Sequence, residues 1–375
     1  MQQTFLETLN TSDHEQLQFL RDAELGLFAI VAIHDSHAGP AFGGIRRCAY
    51  THLADGLRDV LRLSEAMTDK CALAGIPGGG AKAVLLDRPE FDADAAYRLL
   101  GRYVENLGGR WYCGPDVGTG TRELEILAKE TRFVTVPGPD GPGDLADATA
   151  RGVLAGLEAV AAEFTSTSRA QADLGALSYA IQGLGEVGGI LARELRARGA
   201  RVVGSDVDDD RLANAIDRFG VEPCASEEIL GAGCDVFVPC ALGGILHDLS
   251  IERMRFRAIC GSANNILATE EHGDQLAQRG VLVAPDYLVN SGALILGAAF
   301  HLFGSRDSAA AIDRIGDELL ELFARAKGER IAPTRLAGQI ARERRAAARS
   351  LAVGPFFPHE AELRNDLDGG REIEP

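Results

Sequence analysis

The sequence lacks the features that mark several large classes of protein. Its seven cysteines are scattered, odd in number and free of any C-x-x-C pair, which excludes a disulfide framework and the usual zinc motifs. The N-terminus has no basic segment followed by an apolar one, as a secretory signal would have. No apolar run has membrane-spanning character, since the longest, 288–303, is interrupted by Asn290 and Ser291. These absences predict a reduced, cytoplasmic protein without a bound metal.

Positive charge is also scarce. With 38 basic and 55 acidic residues the formal net charge is −17, which argues against binding to nucleic acid or to an anionic membrane surface. An anionic cofactor would therefore need local hydrogen-bond donors. A hydrophobic content of 46% and a charged content of 25% are typical of a globular protein, and 375 residues favour two domains.

The stretch from Met67 to Lys82 contains the first chemically informative residues. Lys70 lies near the end of an amphipathic helix predicted from residue 54, and Lys82 opens an apolar run typical of a buried strand. Between them, Pro77–Gly80 predicts a tight turn whose backbone comes close to a ligand. The spacing is not that of a phosphate-binding P-loop. For this stretch taken alone, the alternative is a tight turn with two surface lysines.

Earlier in the chain, we expect a polar helical segment before Gly26, a strand at 27–33 and a loop at 34–40. His34 and His37 in that loop, with an aspartate between them, could suggest a metal site. A solvated loop is the preferred interpretation, because no second cluster of ligands accompanies these residues in the sequence.

The middle of the chain predicts a functional position and a domain boundary. Asp116 follows a short predicted strand, where side chains often point into a site. The densest Pro/Gly cluster, 137–144, predicts the boundary, and Asp147 is the expected N-cap of the long helix that follows. A helical pattern is expected over 313–347. We interpret its basic end as a solvated face or a subunit contact, with these residues: Arg342, Arg344, Arg345 and Arg349.

A dinucleotide-binding unit is predicted in the C-terminal half. A strand at 177–182 precedes a G-x-G-x-x-G motif, a helix follows, and the next strand ends in Asp206. Gly183 permits the tight turn, Gly185 lets the backbone approach a pyrophosphate, and Gly188 lets helix and strand pack closely. The helix N-terminus would donate N–H groups to the phosphates. A structural strand–helix turn without cofactor is the alternative.

Acidic residues favour NAD over NADP. Asp206 would accept hydrogen bonds from the adenosine ribose and repel a 2′-phosphate. Asp208, Asp209 and Asp210 strengthen this preference, and no arginine lies between Asp206 and Arg211. Further apolar runs at 235–242, 258–265 and 281–287 end in polar or small residues, as strands of a parallel doubly wound α/β sheet do at the cofactor edge.

Many short blocks, in one order, resemble the glutamate/leucine/phenylalanine/valine dehydrogenases, especially the leucine and phenylalanine branch. The resemblance extends from about residue 27 to about residue 350. The blocks are Gly39–Gly44, Met67–Lys70, Gly79–Val84, Pro115–Thr119, Thr149–Val153, Gly183–Gly188, Pro239–Gly243, Gly261–Asn265 and Ala284–Gly292.

This resemblance implies a two-domain α/β architecture. It would consist of an N-terminal α/β substrate domain over 1–143 and a Rossmann, doubly wound NAD-binding domain over 144–329, with 330–375 returning to the first domain as a helix. The cleft between the domains would close on substrate. The family also implies a homo-oligomer that acts on a small amino acid or 2-keto acid and ammonia, with NAD as cofactor.

The matching positions imply roles for individual residues. Lys70 would hold the substrate α-carboxylate, Lys82 would be the general acid/base, and Asp116 would shuttle protons at the amine. The other implied substrate-binding residues are Met67, Gly43, Phe42, Asn290, Leu294 and Gly297. The implied cofactor-binding residues are Gly183, Gly185, Glu186, Val187, Gly188, Asp206, Thr149, Ala241 and Asn264, with Thr149 and Asn264 at the nicotinamide end.

Substrate choice follows from three of these positions. Phe42 stands where glutamate-specific members have a lysine, and an aromatic ring cannot pair with a γ-carboxylate, so a branched-chain or aromatic amino acid is favoured. Leu294 and Gly297 replace the family's pocket-lining valines. Departures also occur at 45–48 and 144–147. An unusual amino or keto acid substrate and a catalytically silent NAD-binding regulator remain the alternatives, although a regulator has no chemical need for the lysines and the aspartate.

Overall fold

The computed structural model describes residues 12–88, 91–241, 243–352 and 354–356. The chain divides into two units: one runs to Pro142 and resumes at Arg342, and the other is Gly143–Ala341. The sequence had placed the return at residue 330. The difference arises because Arg335, in the first turns of the last helix, forms an ion pair with Asp274 of the second unit, at 3.0 Å.

The first unit is built on a five-stranded sheet. Its strands are β1 (Gln16–Asp22), β2 (Leu27–Asp35), β3 (Ala41–Cys48), β4 (Gly79–Leu86) and β5 (Trp111–Gly114). Their order is β1-β2-β4-β3-β5; β2 is antiparallel to both of its neighbours, whereas β3 is parallel to β4 and β5. The helices before the boundary are α1 (Leu53–Leu73), α2 (Ala93–Asn106) and α3 (Thr121–Leu127).

Two expectations for the beginning of this unit were wrong. The described part of the segment before Gly26 contains strand β1, not a helix, because alternating residues pair along the buried strand β2. The loop expected at 34–40 begins later, since β2 continues through His34 and Asp35. Both side chains are buried, with exposed fractions of 0% and 3%.

The glycines before Lys82 serve packing within the protein. Gly79 and Gly80 belong to strand β4 and not to a turn. A Cβ on Gly79 would overlap the backbone of Asp35, and a Cβ on Gly80 would overlap backbone atoms of α1 at Ser64 and Thr68. The close approach is therefore between this strand, its neighbour and the helix.

Apolar side chains cover both faces of the central strands. Leu57, Val60 and Leu61 of α1 pack with Ile30 and Val84 on one face. Helices α2 and α3 cover the opposite face, where the cluster includes Tyr97, Leu100, Trp111 and Leu124. The apolar cluster under α1 takes its buried strand residues from β2 and β4. The side chains of β3 and β5 on that face of the sheet lie outside this cluster.

The second unit contains a parallel sheet, as the sequence predicted. Its strands are β6 (Ser178–Gln182), β7 (Arg201–Ser205), β8 (Glu222–Pro223), β9 (Val236–Pro239), β10 (Ala258–Ile259) and β11 (Leu282–Val283). Their order is β11-β10-β9-β6-β7-β8. The helices are α4 (Leu145–Thr165), α5 (Glu186–Ala197), α6 (Asp209–Phe219), α7 (Asp248–Arg253), α8 (Glu270–Gln278), α9 (Asp286–Val289), α10 (Gly292–Phe303), α11 (Ala309–Glu329) and α12 (Pro333–Leu351). The order of strands reverses after β6, which is the switch point of a doubly wound sheet.

Two details of the helices differ from expectation. The N-cap of α4 is Asp144 and not Asp147: the Asp144 carboxylate accepts hydrogen bonds from the N–H groups of Ala146 and Asp147, each at 2.9 Å. The helical pattern over 313–347 is interrupted, because Arg330 adopts a left-handed conformation and Pro333 starts a new helix.

The basic end of α12 is solvated only in part: Arg342 and Arg344 are exposed, whereas Arg345 and Arg349 are half-buried. Arg344 donates hydrogen bonds to the carbonyls of Ala72 and Leu73 at the end of α1, at 3.0 and 2.8 Å. Arg349 forms an ion pair with Asp35, with Nε 2.5 Å from Oδ2. The end of the last helix thus packs in the first unit, as the resemblance implied, because its arginines satisfy the carbonyls at a helix C-terminus and a buried carboxylate. The C-terminal tail beyond 356 lies outside the described residues.

Candidate active site

A buried ion pair lies at the centre of the first unit. The Nζ atom of Lys82, in β4, contacts Oδ2 of Asp116, in the turn after β5. Their side chains are 5% and 13% exposed. The turn is closed by a hydrogen bond from the Thr119 N–H to the Asp116 carbonyl, at 2.9 Å. The structure therefore brings together two residues that the sequence named as catalytic, although they are separated by 34 positions.

A second cation contacts the same carboxylate. Arg46 donates from Nε to Oδ1 of Asp116 at 2.8 Å, and the Val117 N–H donates to that oxygen at 2.6 Å. Burial raises the pKa of the Asp116 carboxyl, but the charges of Lys82 and Arg46 outweigh burial and lower that pKa to about 2. Asp116 is therefore an ionised acceptor at neutral pH.

Arg46 is one of the residues that the sequence did not indicate. It was noted only as part of a departure from the family pattern. A signal was present, however: alternate residues of a strand share a face, so Phe42, Gly44 and Arg46 of β3 lie on one side. What the sequence did not show is that this side faces Asp116, which is 70 positions away.

Glycines 43 and 44 allow the neighbouring groups to approach. A Cβ on Gly43 would overlap the Ala81 carbonyl and lie 3.4 Å from Cγ of Met67, so these two predicted residues are neighbours. A Cβ on Gly44 would overlap the Pro115 carbonyl and lie 3.0 Å from Cβ of Asp116. Glycine at this position therefore lets the turn that carries Asp116 lie directly against β3.

Phe42 belongs to a row of aromatic rings. It is 3% exposed and stacks on Tyr112, its register partner in β5, with ring centroids 5.5 Å apart and an interplanar angle of 17°. Tyr112 in turn meets Phe133 edge to face at 5.5 Å. Tyr112 was not singled out from the sequence. The register of β3 and β5 is what joins it to Phe42.

Lys70 lies in the last turn of α1, the helix that packs on the strand of Lys82. The adjacent Asp69 is shielded, and burial raises the pKa of its carboxyl to about 6. Arg345 of α12 lies 3.6 Å from Asp69. Helix α12 therefore places a positive charge beside Asp69, the neighbour of Lys70, which is predicted to bind the substrate carboxylate.

The two histidines expected in a solvated loop differ. His34 lies in a buried polar network, so the interpretation was wrong for this residue, whereas His37 lies in the turn after β2 and its side chain is 19% exposed. The ring of His34 contacts Thr68 Oγ1 at 2.7 Å and Asp13 at 3.0 Å. Two groups have ligand atoms close enough together to hold an ion: Asp13 with His14 and His34, and Glu15 with Asp35 and His37. Arginines 345 and 349 lie beside these groups and oppose a cation there. The expectation of no metal stays a prediction.

In the second unit, the glycine motif forms a tight strand-to-helix turn. Gly183 has φ +93°, and a Cβ there would lie 2.9 Å from that of Ala241, which the sequence named as a cofactor residue. A Cβ on Gly188 would overlap the Gly183 carbonyl. Gly185 is the N-cap of α5, so Glu186 and Val187 begin the helix and present its first N–H groups.

Asp206 is held by the glycine loop itself. Its Oδ2 accepts a hydrogen bond from the Leu184 N–H at 2.6 Å, and its Oδ1 accepts one from the Asp208 N–H at 2.9 Å. The sequence reasoning missed Arg211: its Nη1 lies 3.6 Å from the position of a Cβ on Gly185. The first turn of α6 therefore brings a guanidinium to the loop, although Arg211 also lies 3.4 Å from Asp208.

Asn290 and Asn264 meet at the carboxyl end of the sheet. The Asn290 amide nitrogen donates to Asn264 Oδ1 at 2.8 Å and to the Ser262 carbonyl at 3.1 Å. Asn290 is 4% exposed, and among the described residues its Oδ1 has no hydrogen-bond partner. Thr149 donates to the Leu145 carbonyl within α4, at 2.9 Å. Leu294 and Gly297 are three residues apart in α10 and share a face of that helix.

These features fit a dinucleotide. The loop has glycines where a Cβ would block the backbone, a helix of twelve residues presents its N-terminus, and an acid lies at the end of the adjacent strand. The partnerless Asn290 Oδ1 is an acceptor at the opposite end, near Asn264. The residues present can therefore hold a pyrophosphate, a ribose and an amide-bearing ring.

Comparison with known proteins agrees with both units. The family model described as "Glu/Leu/Phe/Val dehydrogenase, dimerisation domain" matches residues 15–133, and the model "Glutamate/Leucine/Phenylalanine/Valine dehydrogenase" matches 208–302. The leucine dehydrogenase of Geobacillus stearothermophilus is 38% identical over 93% of this chain and 95% of its own. The phenylalanine dehydrogenase of Bacillus thermotolerans is 41% identical, over 89% and 88%.

A solved structure gives the same result. The L-tryptophan dehydrogenase of Nostoc punctiforme is 34% identical and aligns with a TM-score of 0.77, covering 92% of this chain and 100% of its own. The fold and these relatives define the protein as an amino-acid dehydrogenase, an oxidoreductase. The chain belongs to the glutamate/leucine/phenylalanine/valine dehydrogenase family. None of the helices in the described residues has both the length and the apolar character needed to cross a membrane.

Proposed function

We propose that the protein catalyses the NAD-dependent, reversible oxidative deamination of an apolar L-amino acid, branched-chain or aromatic, to the 2-keto acid and ammonia. The observation that carries this proposal is the buried pair of Lys82 and Asp116. A lysine held among buried groups beside an ionised carboxylate can exchange protons with water and amine, which deamination requires.

The proposed chemistry assigns a task to each group. NAD, when bound, would supply the acceptor for the hydride of the substrate Cα, and the substrate would then be an iminium. Lys82 would remove a proton from the water that attacks this carbon and return it as ammonia leaves. Asp116 would accept a hydrogen bond from the amine, and Lys70 would pair with the α-carboxylate. Met67, Gly43 and Phe42 of the first unit, and Asn290, Leu294 and Gly297 of the second, would be the further substrate residues.

The proposed cofactor is NAD. Gly183, Gly185 and Gly188 would let the backbone approach the pyrophosphate, whose charge the N–H groups of Glu186 and Val187 would meet. Asp206 would accept hydrogen bonds from the ribose and exclude a 2′-phosphate. The acidic surroundings support NAD, whereas Arg211 is the group that would favour an additional phosphate. Thr149, Ala241 and Asn264 would complete the cofactor site.

Phe42 supports an apolar substrate. Its ring lacks a charge for a γ-carboxylate and stacks on Tyr112, on the side of β3 that also carries Arg46. The expected partners are accordingly the amino acid or 2-keto acid and ammonia. We further propose a homo-oligomer, which the description of the first family model as a dimerisation domain supports. The seven free cysteines support a location in the reducing cytoplasm.

The test is NADH formation by the full-length protein across the standard amino acids, with NADP as a parallel cofactor. We expect turnover of leucine, valine, isoleucine, phenylalanine or tryptophan, little turnover of glutamate, and preference for NAD. Turnover of glutamate above all apolar substrates would overturn the substrate proposal, and preference for NADP would overturn the cofactor proposal. If no amino acid is oxidised although NADH binds, the proposal of deamination fails.

A further inference from the structure

The Lys82–Asp116 pair is one end of a longer chain of polar contacts. Beyond Arg46, the chain continues to Asp59 in α1: Nη1 of Arg46 donates to Oδ2 of Asp59 at 3.0 Å. The Tyr50 hydroxyl donates to the same oxygen at 2.7 Å. The series Tyr50–Asp59–Arg46–Asp116–Lys82 therefore joins β3, α1, β4 and the turn after β5.

The guanidinium in this series is fixed from both sides. Arg46 uses Nε toward Asp116 and Nη1 toward Asp59, and its side chain is only 18% exposed. Because guanidinium is planar and its N–H groups have fixed directions, two carboxylates on different edges fix its orientation. Burial and the hydrogen bond to Asp59 raise the pKa of Tyr50, so its hydroxyl stays a donor to Asp59.

The two oxygens of Asp116 are thereby separated in function. Oδ1 receives Arg46 and the Val117 N–H, whereas Oδ2 contacts Lys82. A carboxylate bound at one oxygen only could rotate about its χ2 bond. With Oδ1 held by two donors, Oδ2 is the oxygen left to face an ammonium group.

The charges also balance. Asp59 offsets the charge of Arg46, and Asp116 offsets that of Lys82, so four charged groups share a shielded region without a net charge. A single arginine without Asp59 would add an uncompensated cation beside Lys82, which is costly in a shielded site. The other oxygen of Asp59, Oδ1, lies 2.9 Å from Nη2 of Arg62, whose side chain is 56% exposed.

We propose that Arg46, fixed by Asp59, is a positioning residue of this dehydrogenase: it holds the Asp116 carboxyl group in one orientation, so that Oδ2 faces Lys82 and the substrate amine. The inference rests on the proposed function for the roles of Lys82 and Asp116. It adds that Asp116 serves as a fixed acceptor, since its proton affinity is suppressed by the arginine as well as by the lysine. Arg46 would act through Asp116, because its Nε and Nη1 donors are directed at Asp116 and Asp59.

The experiment compares four variants of the full-length protein with the wild type: Arg46→Gln, Arg46→Lys, Asp59→Asn and Arg58→Gln. The last is the matched control, because Arg58 also forms an ion pair with an aspartate of α1, Asp55, but on the exposed side. For each variant, kcat, KM and their pH dependence are measured with the best substrate of the wild type. Circular dichroism and urea unfolding report whether the variant is folded, and NADH fluorescence reports cofactor binding.

Arg46→Gln should lower kcat by about 100-fold, the order found when one preorganised donor is removed from a site, with KM changed by less than about threefold. Its activity should also fall at a higher pH than that of the wild type on the acid side, because Asp116 has lost a cation. The charged and titratable groups near Asp116 or its partners, which bear on this pH dependence, are Lys82, Arg46, Asp59, Arg62, Tyr50 and Cys48.

Arg46→Lys keeps the charge but not the two-sided contact, so it should restore only part of kcat. Asp59→Asn should fall between Arg46→Gln and the wild type, and Arg58→Gln should stay within about twofold of the wild type. An Arg46→Gln protein that binds NADH and keeps kcat and its acid limb unchanged would overturn the inference.

A second readout does not require turnover. Carboxyl titration by carbon NMR, with the Asp116 signal assigned from Asp116→Asn, should show a higher Asp116 pKa in Arg46→Gln and no such change in Arg58→Gln. An unchanged Asp116 pKa in Arg46→Gln would refute the role of the arginine even if no amino acid were oxidised. A silent wild type with the expected titration would instead count against the proposed function alone.

Discussion

The sites in the two units use opposite means to handle charge. In the first unit, charged side chains neutralise one another: Lys82, Asp116, Arg46 and Asp59 meet through direct contacts and are largely shielded from water. In the second, the glycine loop offers mainly backbone N–H groups, and its acid, Asp206, is itself held by backbone N–H groups. Proton transfer needs groups that change charge, whereas an anionic cofactor of fixed charge needs oriented dipoles.

The difference also concerns distance along the chain. The cofactor loop and its acid lie within one strand–helix–strand unit, so local geometry assembles them. The charged series of the first unit comes from separate strands, a helix and a turn. Its assembly depends on the register of β3 with β4 and β5, and on glycines that let those elements approach. Four variants test whether the two sites are as distinct as this comparison suggests.

The largest effect is expected for Lys82→Ala. Loss of the general acid/base should lower kcat by about a thousandfold or more, within the range that such groups contribute. NADH binding should remain nearly intact, because the cofactor residues lie in the second unit. Steady-state kinetics and NADH fluorescence check both statements. Lys129→Ala, which removes an exposed lysine of the first unit, is the control. Retained amino-acid oxidation by the Lys82 variant would remove the basis of the mechanism.

Asp206→Ala should give the converse result. Without the ribose acceptor and its bond to Leu184, NAD affinity should fall by about tenfold or more, since a hydrogen bond to a charged group contributes about 1.5–3 kcal/mol. At saturating NAD, kcat should stay within about threefold of the wild type. Calorimetry and kinetics measure the two quantities, with exposed Asp217→Ala as the control. A large loss of kcat at saturation would show that the two sites are not separable.

Phe42→Leu should alter selectivity more than rate. Removing ring atoms from the stack with Tyr112 opens space at the substrate face, so we expect the ratio of kcat/KM for aromatic over aliphatic substrates to rise by about tenfold. Phe19→Leu, which removes a ring that is 40% exposed, is the matched control. A ratio within twofold of the wild type would mean that Phe42 does not contact the substrate side chain.

The smallest effect concerns one half-buried histidine in each unit. Burial lowers the pKa of His14 and of His301 to about 4, compared with about 6.5 in an unfolded chain. Between these values the unfolded state binds more protons, so stability is complete above pH 6.5 and falls as the pH decreases toward 4. His301→Leu should reduce this slope by up to about 1.4 kcal/mol per pH unit, measured by urea unfolding at several pH values. Equal slopes for variant and wild type below pH 6 would contradict the prediction, whereas equal slopes above pH 7 are expected.

The predictions from the sequence divide in the same way, between features that depend on local spacing and features that depend on distant parts of the chain. The strand–glycine–helix unit and the parallel sheet of the second unit were confirmed, because hydrophobic runs and glycine spacing are local signals. Strand β1 was predicted as a helix, because its polar residues gave no indication that β2 would pair with it. The glycines of β4 were predicted as a ligand-binding turn, because the sequence does not show that α1 lies directly against that strand. His34 was predicted in a solvated loop, and it is buried by α1 and the segment before β1.

The sequence by itself determined the family, the α/β character and the identity of Lys82, Asp116 and the glycine motif, because these depend on residue type and local spacing. Only the tertiary structure decided that Arg46 and Asp59 join the Lys82–Asp116 pair, that Tyr112 stacks on Phe42, and that the arginines of α12 contact groups within the chain. The physical reason is that a charge or a ring has no marked partner in a linear sequence. Partners are chosen when strands take their register and glycines let separate elements approach within hydrogen-bond distance.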